Sequence, residues 1–145
     1  MSMLDRAGIE DRVPQRGAMC LLDAVVAYDT THITCRAAAP KPTHPLARDG
    51  RVPAIAAVEY AAQATAVHGS LVDGCQTPRA GMLAKLGEVR LHTDFIADDG
   101  EALDIRAERL SVVSAGCLYA FEVYSGSSPV ASGRLMVAFT AQPTP

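Results

Sequence analysis

The chain has 145 residues, enough for one domain with its own core and too few for several. Hydrophobic residues make up 49% and charged residues 20%, which excludes a long disordered chain. A formal net charge of −3 gives no electrostatic footprint for nucleic acid, although a local basic cluster could still dock an acidic protein.

Aromatic residues are only 5% and Trp is absent, so the core must be mainly aliphatic. Residues 1–16 carry charges throughout and lack the apolar stretch of a secretion signal. The longest weakly polar stretch, residues 52–72, is interrupted by Glu59, Gln63 and His68, so it reads as buried rather than membrane-spanning. A cytoplasmic protein is expected. Cys20, Cys35, Cys75 and Cys117 are widely spaced with no C-x-x-C pair, which fits free, mostly buried thiols rather than a zinc site or a disulfide framework.

In chain order, residues 21–27 are aliphatic and residues 31–37 alternate after an Asp29-Thr30 turn, the pattern of a hairpin. Pro40, Pro42 and Pro45 then impose an irregular passage. Pro53 stands where a helix can begin, and residues 54–73 are Ala-rich with Gly74 as the stop. Residues 82–93 read as a strand with Gly87 as a bend or bulge, and Asp98-Asp99-Gly100 as a turn. Leu103, Ile105 and Ala107 alternate with polar residues, as do Cys117, Tyr119, Phe121 and Val123. Residues 125–128 turn the chain, and Leu135, Val137 and Phe139 complete a last strand. One domain spans residues 1–145, α+β in class, with a tail after about residue 140 that frays.

The alanines of the long segment surround its circumference and leave no broad charged face. Such a helix is usually enclosed by protein, as it would be inside a curved antiparallel sheet. Glu59 and Gln63, four residues apart, share one of its faces. A charge on so apolar a helix must be paired, hydrogen-bonded or neutralised, and a carboxyl group that keeps its proton can serve as a general acid. It can equally point to solvent or favour the helix's first turn, and periodicity leaves both open. Of the histidines, His32 and His92 read as strand-face residues and His68 as a cation near the helix end. His44 lies in the Pro-rich approach to the helix, where functional groups often sit. Gly-rich phosphate loops, G-x-S-x-G and H-E-x-x-H are all missing.

Three stretches together resemble the β-hydroxyacyl-carrier-protein dehydratases. Val13-Pro14-Gln15-Arg16 leading to Leu21-Leu22-Asp23 is similar to the family's Leu-Pro-His-Arg segment before Leu-Leu-Val-Asp. His44-Pro45, then Val52-Pro53, then Glu59-Tyr60-Ala61-Ala62-Gln63-Ala64 resembles its catalytic loop and helix. Residues 81–139 follow its run of antiparallel strands. Within the family, residues 52–64 look most like the divergent dehydratase-like members from aryl polyene clusters.

The resemblance implies a hotdog fold, one long central helix wrapped by a curved antiparallel sheet. It also implies that His44 removes the α-proton of a 3-hydroxyacyl thioester while Glu59 protonates the departing hydroxyl. A backbone N–H at Ala54 or Ile55 would hold the thioester oxygen, and Gln63 would orient Glu59. The partner would be acyl carrier protein bearing acyl-phosphopantetheine. Since the family's two catalytic residues meet across a subunit interface, a homodimer or higher oligomer is implied. No cofactor or metal enters this chemistry, and no nucleic acid or membrane partner is expected. The sequence departs from the family where Pro-Leu follows His44 in place of Phe-Pro-Gly, where Ala54 replaces a glycine, and where Gln15 replaces a histidine. Those departures leave two other readings: a hotdog acyl thioesterase needing Glu59 but not His44, and a non-catalytic subunit that pairs with an active dehydratase.

Overall fold

Two side-chain periodicities divide this chain, and they become one sheet and one long helix. The computed structural model describes residues 3–13, 15, 17–72, 81–113 and 116–139. Its strands are β1 (Leu4–Asp5), β2 (Ala24–Tyr28), β3 (His32–Ala37), β4 (Gly81–Leu91), β5 (Leu103–Val113), β6 (Gly116–Ser125) and β7 (Ser128–Phe139). All pair antiparallel in the order β1-β2-β3-β5-β6-β7-β4. A short helix α1 (Arg6–Glu10) follows β1, and the long helix α2 (Ala57–Val72) joins β3 to β4.

The register explains which face is buried. Ile33, Ala107, Phe121 and Gly133 lie opposite one another across four strands, and Cys35, Ile105, Val123 and Ala131 form the next buried row. Side chains two apart on a strand share a face, so these rows make one apolar surface, and α2 packs on it against β3, β5, β6 and β7. Gly133 has a structural reason: a Cβ there would come within 3.2 Å of Phe121 Cζ and 3.1 Å of Val89 Cα. The opposite rows are polar and exposed, with ion pairs such as Arg36–Asp104 and Arg134–Glu88 across strands.

Alanine's high helix propensity and Pro53's extended backbone set the start of the long helix. It opens as a 3-10 turn over Ala54–Ala56 before becoming regular at Ala57. Ala54, Ala57, Ala61 and Ala64 are fully buried, so the helix approaches the sheet closely. Buried His68 fixes its far end. Nε2 meets the Asp29 carbonyl at 2.8 Å and Nδ1 meets the Tyr119 hydroxyl at 2.8 Å, which makes His68 a packing bridge instead of a surface cation. With the carbonyl able only to accept, Nε2 carries the hydrogen and Nδ1 accepts from Tyr119.

Several expected boundaries move. The first hairpin strand begins at Ala24, because the Leu21 N–H goes to Gln63, although the Asp23 N–H still reaches Arg36 of β3. β5 runs to Val113 through a register shift between Arg109 and Ser111 that interrupts its alternation. β7 starts at Ser128, with Pro129 opposite Tyr124 at another register shift. The irregularity expected at Gly87 is a bulge between Gly87 and Arg90, with Glu88 at φ 52°. Cys20, Cys35 and Cys117 are buried and form no disulfide. Pro14, Arg16, the helix stop at Asp73-Gly74, Cys75, Pro78 and the tail after Phe139 lie outside the described residues. No helix among the described residues is long and apolar enough to cross a membrane.

Candidate active site

The site is assembled from the N-terminal loop upward. Asp5 caps α1 by accepting from the Gly8 N–H, and α1 carries Arg6. The Arg6 guanidinium donates to the carbonyls of Gly17 (2.8 Å) and Cys20 (2.7 Å) and to Asp23 Oδ1 (3.0 Å). Those bonds shape the loop that passes over α2. From it, the Leu21 N–H donates to Gln63 Oε1 at 2.9 Å, and the Met19 carbonyl accepts from Gln63 Nε2 at 2.8 Å. Gln63 is 1% exposed, so both ends of its amide are fixed by backbone. Its second N–H then donates to Glu59 Oε1 at 3.1 Å. Gln15 Nε2 donates to the same oxygen at 3.2 Å. Glu59 is half-buried, and with both donors on Oε1, a proton on this carboxyl group belongs on Oε2. The pairing of Glu59 with Gln63 that helix periodicity predicts is present.

His44 belongs to a second cluster. Its Nδ1 accepts the Leu46 N–H at 3.0 Å, and its Nε2 lies 2.9 Å from the Tyr60 hydroxyl, with the two rings stacked. A nitrogen that accepts an N–H carries a lone pair, so the neutral ring holds its hydrogen on Nε2 and donates it to Tyr60 Oη. Burial holds the His44 pKa below the usual imidazole value. It also pushes the 1%-exposed Tyr60 phenol up to about 12, with the Asp23 charge adding to the effect. Within one chain the structure joins His44 to Tyr60 rather than to Glu59, whose partners are the two glutamines.

At the helix entrance one expectation needs correction. The Ala54 N–H already donates to the Asp94 carbonyl at 2.9 Å, because residues 52–54 run alongside residues 94–96, and the Ala56 N–H goes to Pro53. Ala54 is therefore no free donor for a thioester oxygen. Ile55, half exposed, is the position where the helix start remains accessible. Ile55, Ala56, Glu59, Ala62, Ala66 and Ser70 form one incompletely covered stripe along the helix, while the residues between them, apart from Gly69, are buried. The approach at three- and four-residue intervals is that of one helix face. Two surface hollows lie elsewhere: a trough of about 500 Å³ on the polar sheet face, with Arg90, Arg106 and Arg134 on its walls, and a cleft of about 290 Å³ between Lys41, Arg51 and Phe95. Among the described residues, no group of three or more His, Cys, Asp or Glu is placed to hold a metal ion.

The profile of the ApeP-like family, the ApeP dehydratases, matches residues 7–144. The chain belongs to the ApeP-like dehydratase family. It is similar in structure to the dehydratase heterocomplex ApeI:P from Xenorhabdus doucetiae, at 23% identity and TM-score 0.79 over 92% of this chain and 91% of that one. A hypothetical thioesterase solved with coenzyme A from Streptococcus pneumoniae aligns over 83% of this chain and 87% of its own, at 12% identity and TM-score 0.58. A Pseudomonas aeruginosa thioesterase aligns over 81% and 80%, at 13% identity and TM-score 0.61. These likenesses, with the long helix on an antiparallel sheet, establish the hotdog fold. Among curated protein sequences, none matches.

Two members of this candidate site escape sequence reasoning. Tyr60 enters the sequence reading only as part of the Glu59–Ala64 motif, and only the folded loop reveals its bond to His44. Gln15 reads as a lost histidine, yet it reaches Glu59 across 44 positions of chain. The one available signal was chemical: two amides, Gln15 and Gln63, in segments that the family resemblance brings together.

Proposed function

We propose that this ApeP-like protein is a subunit of a dehydratase that removes water from a 3-hydroxyacyl thioester on acyl carrier protein, leaving the trans-2-enoyl thioester. In the reaction a base takes the α-proton, the freed electron pair forms the C2–C3 double bond, and the C3–O bond breaks. Glu59 supplies a proton to the departing oxygen, so water leaves rather than hydroxide. The observation that carries this reading is the double amide clamp on Glu59 Oε1, which leaves Oε2 as the oxygen to carry an acid's proton on an incompletely covered helix face. The Ile55 end of that face supports the thioester's approach to a helix N-terminus, where developing negative charge is favoured.

The base is His44, supplied by a second copy or by a companion chain's equivalent. Pairing has support in β4, which is an edge strand and exposes Leu86 and Leu91. A homodimer would place His44 of one copy against Glu59 of the other, in the cytoplasm, with acyl-phosphopantetheine as the bound arm.

One observation favours a second reading. Both ring nitrogens of His44 are engaged within its own chain, so its accessible form is a donor to Tyr60 and not a free base. In that reading the protein is the companion of an active dehydratase, an arrangement for which the dehydratase heterocomplex ApeI:P offers a precedent. Such a pair has one productive site, combining Glu59 with the companion's base. A thioesterase, with Glu59 activating water, shares the fold only.

The test follows a 3-hydroxyacyl carrier protein by mass spectrometry, with the protein alone and with its companion. Loss of water by the protein alone, abolished by Glu59→Gln and by His44→Ala, supports the homodimer. Water loss only in the mixture, abolished by Glu59→Gln and retained by His44→Ala, supports the companion. Release of free acid makes it a thioesterase and refutes both.

A further inference from the structure

Half of the Gln15 amide is unused. Its Nε2 donates to Glu59 Oε1, but its Oε1 is buried and has no hydrogen-bond partner. Among the described residues it is the one buried side-chain nitrogen or oxygen in that condition. A buried acceptor left without a donor is costly, and such an atom in a native protein calls for an explanation, a bound group among them. Turning the amide over gives no relief, because its oxygen would then face Glu59 Oε1, an acceptor against an acceptor, and its N–H groups would take the buried position without a partner. Gln63 cannot serve instead, since its oxygen and both of its N–H groups are engaged.

Glu59 presents the complement. With Oε1 occupied by two N–H donors, Oε2 is the oxygen left without a partner among the described residues, and in the acid form of Glu59 it is a donor. The clamp therefore places an unpartnered acceptor, on the amide that touches Glu59, next to an unpartnered donor. A hydroxyl group answers both at once, because its oxygen accepts and its hydrogen donates. A thioester carbonyl answers only the donor, and a methylene answers neither.

We infer that Gln15 is the specificity-determining residue that recognises the substrate's 3-hydroxyl, accepting its hydrogen on Oε1 while Glu59 Oε2 addresses its oxygen. The inference rests on the dehydratase reading and adds the group that tells a hydroxyacyl chain from a saturated one. Accepting the hydroxyl hydrogen also turns the oxygen's lone pair toward the Glu59 proton, the arrangement that protonation of the leaving group requires. The enoyl product has no hydroxyl and loses this contact.

The experiment measures binding of three stable amide-linked pantetheine analogues, bearing 3-hydroxyacyl, 3-fluoroacyl and unsubstituted acyl chains, to the protein in its assembled form. The wild type should hold the 3-hydroxy analogue roughly tenfold more tightly than either of the others, the worth of one hydrogen bond of this kind. Fluorine keeps an electronegative atom at C3 but removes the hydrogen that Gln15 would accept, so this arm tests the proposal without any substitution. Gln15→Met, close in size and without polar atoms, should bring the three affinities together and leave that of the unsubstituted chain unchanged. A preference for the 3-hydroxy analogue that survives in Gln15→Met, with only turnover reduced, would show that the amide merely steadies Glu59 and overturns the assignment. Equal binding of all three by the wild type overturns it as well, while leaving the dehydratase reading in place. If the wild type binds none of them, both readings fall.

Discussion

Replacing Gln63 with leucine tests how far the site depends on the fold beneath it. The variant removes three hydrogen bonds: Leu21 N–H to Oε1, and Nε2 to both Met19 O and Glu59 Oε1. Leu21 is buried, so its N–H is left without a partner at a cost of about 1–3 kcal/mol. Met19 is 39% exposed, so water can reach that segment and the loss there is roughly 0–1 kcal/mol. The half-buried Glu59 keeps Gln15 and can draw in water, adding a similar amount. Together these give about 1–5 kcal/mol, within the total stability of a typical domain, so the variant should fold. For a chain of this size the melting temperature should drop by roughly 3–15 °C at fixed protomer concentration. Thermal and urea denaturation measure the loss, and hydrogen exchange at the Leu21 amide locates it. A change below about 0.5 kcal/mol, or an unaltered exchange rate at Leu21, would refute the claim that Gln63 ties the loop to the helix.

Three further outcomes follow from the same geometry. The His44 ring should show the neutral Nε2–H tautomer by nitrogen NMR. Because burial lowers its pKa from 6.5, its stabilising effect is complete above that value and lost as pH falls through the lower folded value. Wild type should therefore lose more melting temperature on acidification than His44→Gln, and equal pH profiles would contradict the lock. Cys35, its thiol pushed up to about 12 by burial, and Cys20, raised by the same cause, should resist iodoacetamide at pH 8 in the native state and react in urea, as peptide mass spectrometry would show. Gly116→Ala would place a Cβ 2.1 Å from the Val137 carbonyl oxygen, so it should cost about 3 kcal/mol or prevent folding, whereas Gly87→Ala, with nothing within 4 Å, should not matter in denaturation.

What the sequence revealed follows from how local each feature is. The long helix was legible because Pro53 starts it and its alanines have no competing strand pattern, and the Glu59–Gln63 pair follows from helical spacing alone. Strand cores at Leu103–Ile105–Ala107 and Cys117–Val123 were legible from alternation. The end of β5 was not, since the irregularity at Leu110 breaks the period, and the start of β7 was hidden by the turn-like Ser128-Pro129. α1 is only five residues long and depends on the Asp5 cap, too short for a periodic signal. The loop-to-helix bonds lie beyond any local pattern. His44 meets Tyr60, His68 meets Tyr119, and Gln15 meets Glu59 only when distant segments pack. The same is true of the Ala54 N–H, whose partner Asp94 arrives from the connection after β4.

If an acyl chain lies along α2, as the dehydratase reading requires, the stripe of small side chains there would act as a gauge. From Glu59 to Ser70 it covers eleven helical steps, about 16 Å at the helical rise, a length comparable with an extended medium acyl chain. Ala62 and Ala66 are the graduations between its ends, and each is only one methyl deep. A larger residue at Ala66 would shorten what can lie along the helix while leaving the acid's clamp at Glu59 alone. One at Ala62 would sit a single turn from the carboxyl group and crowd the reaction itself. Chain-length preference could thus drift in this fold through Ala66 without disturbing the chemistry.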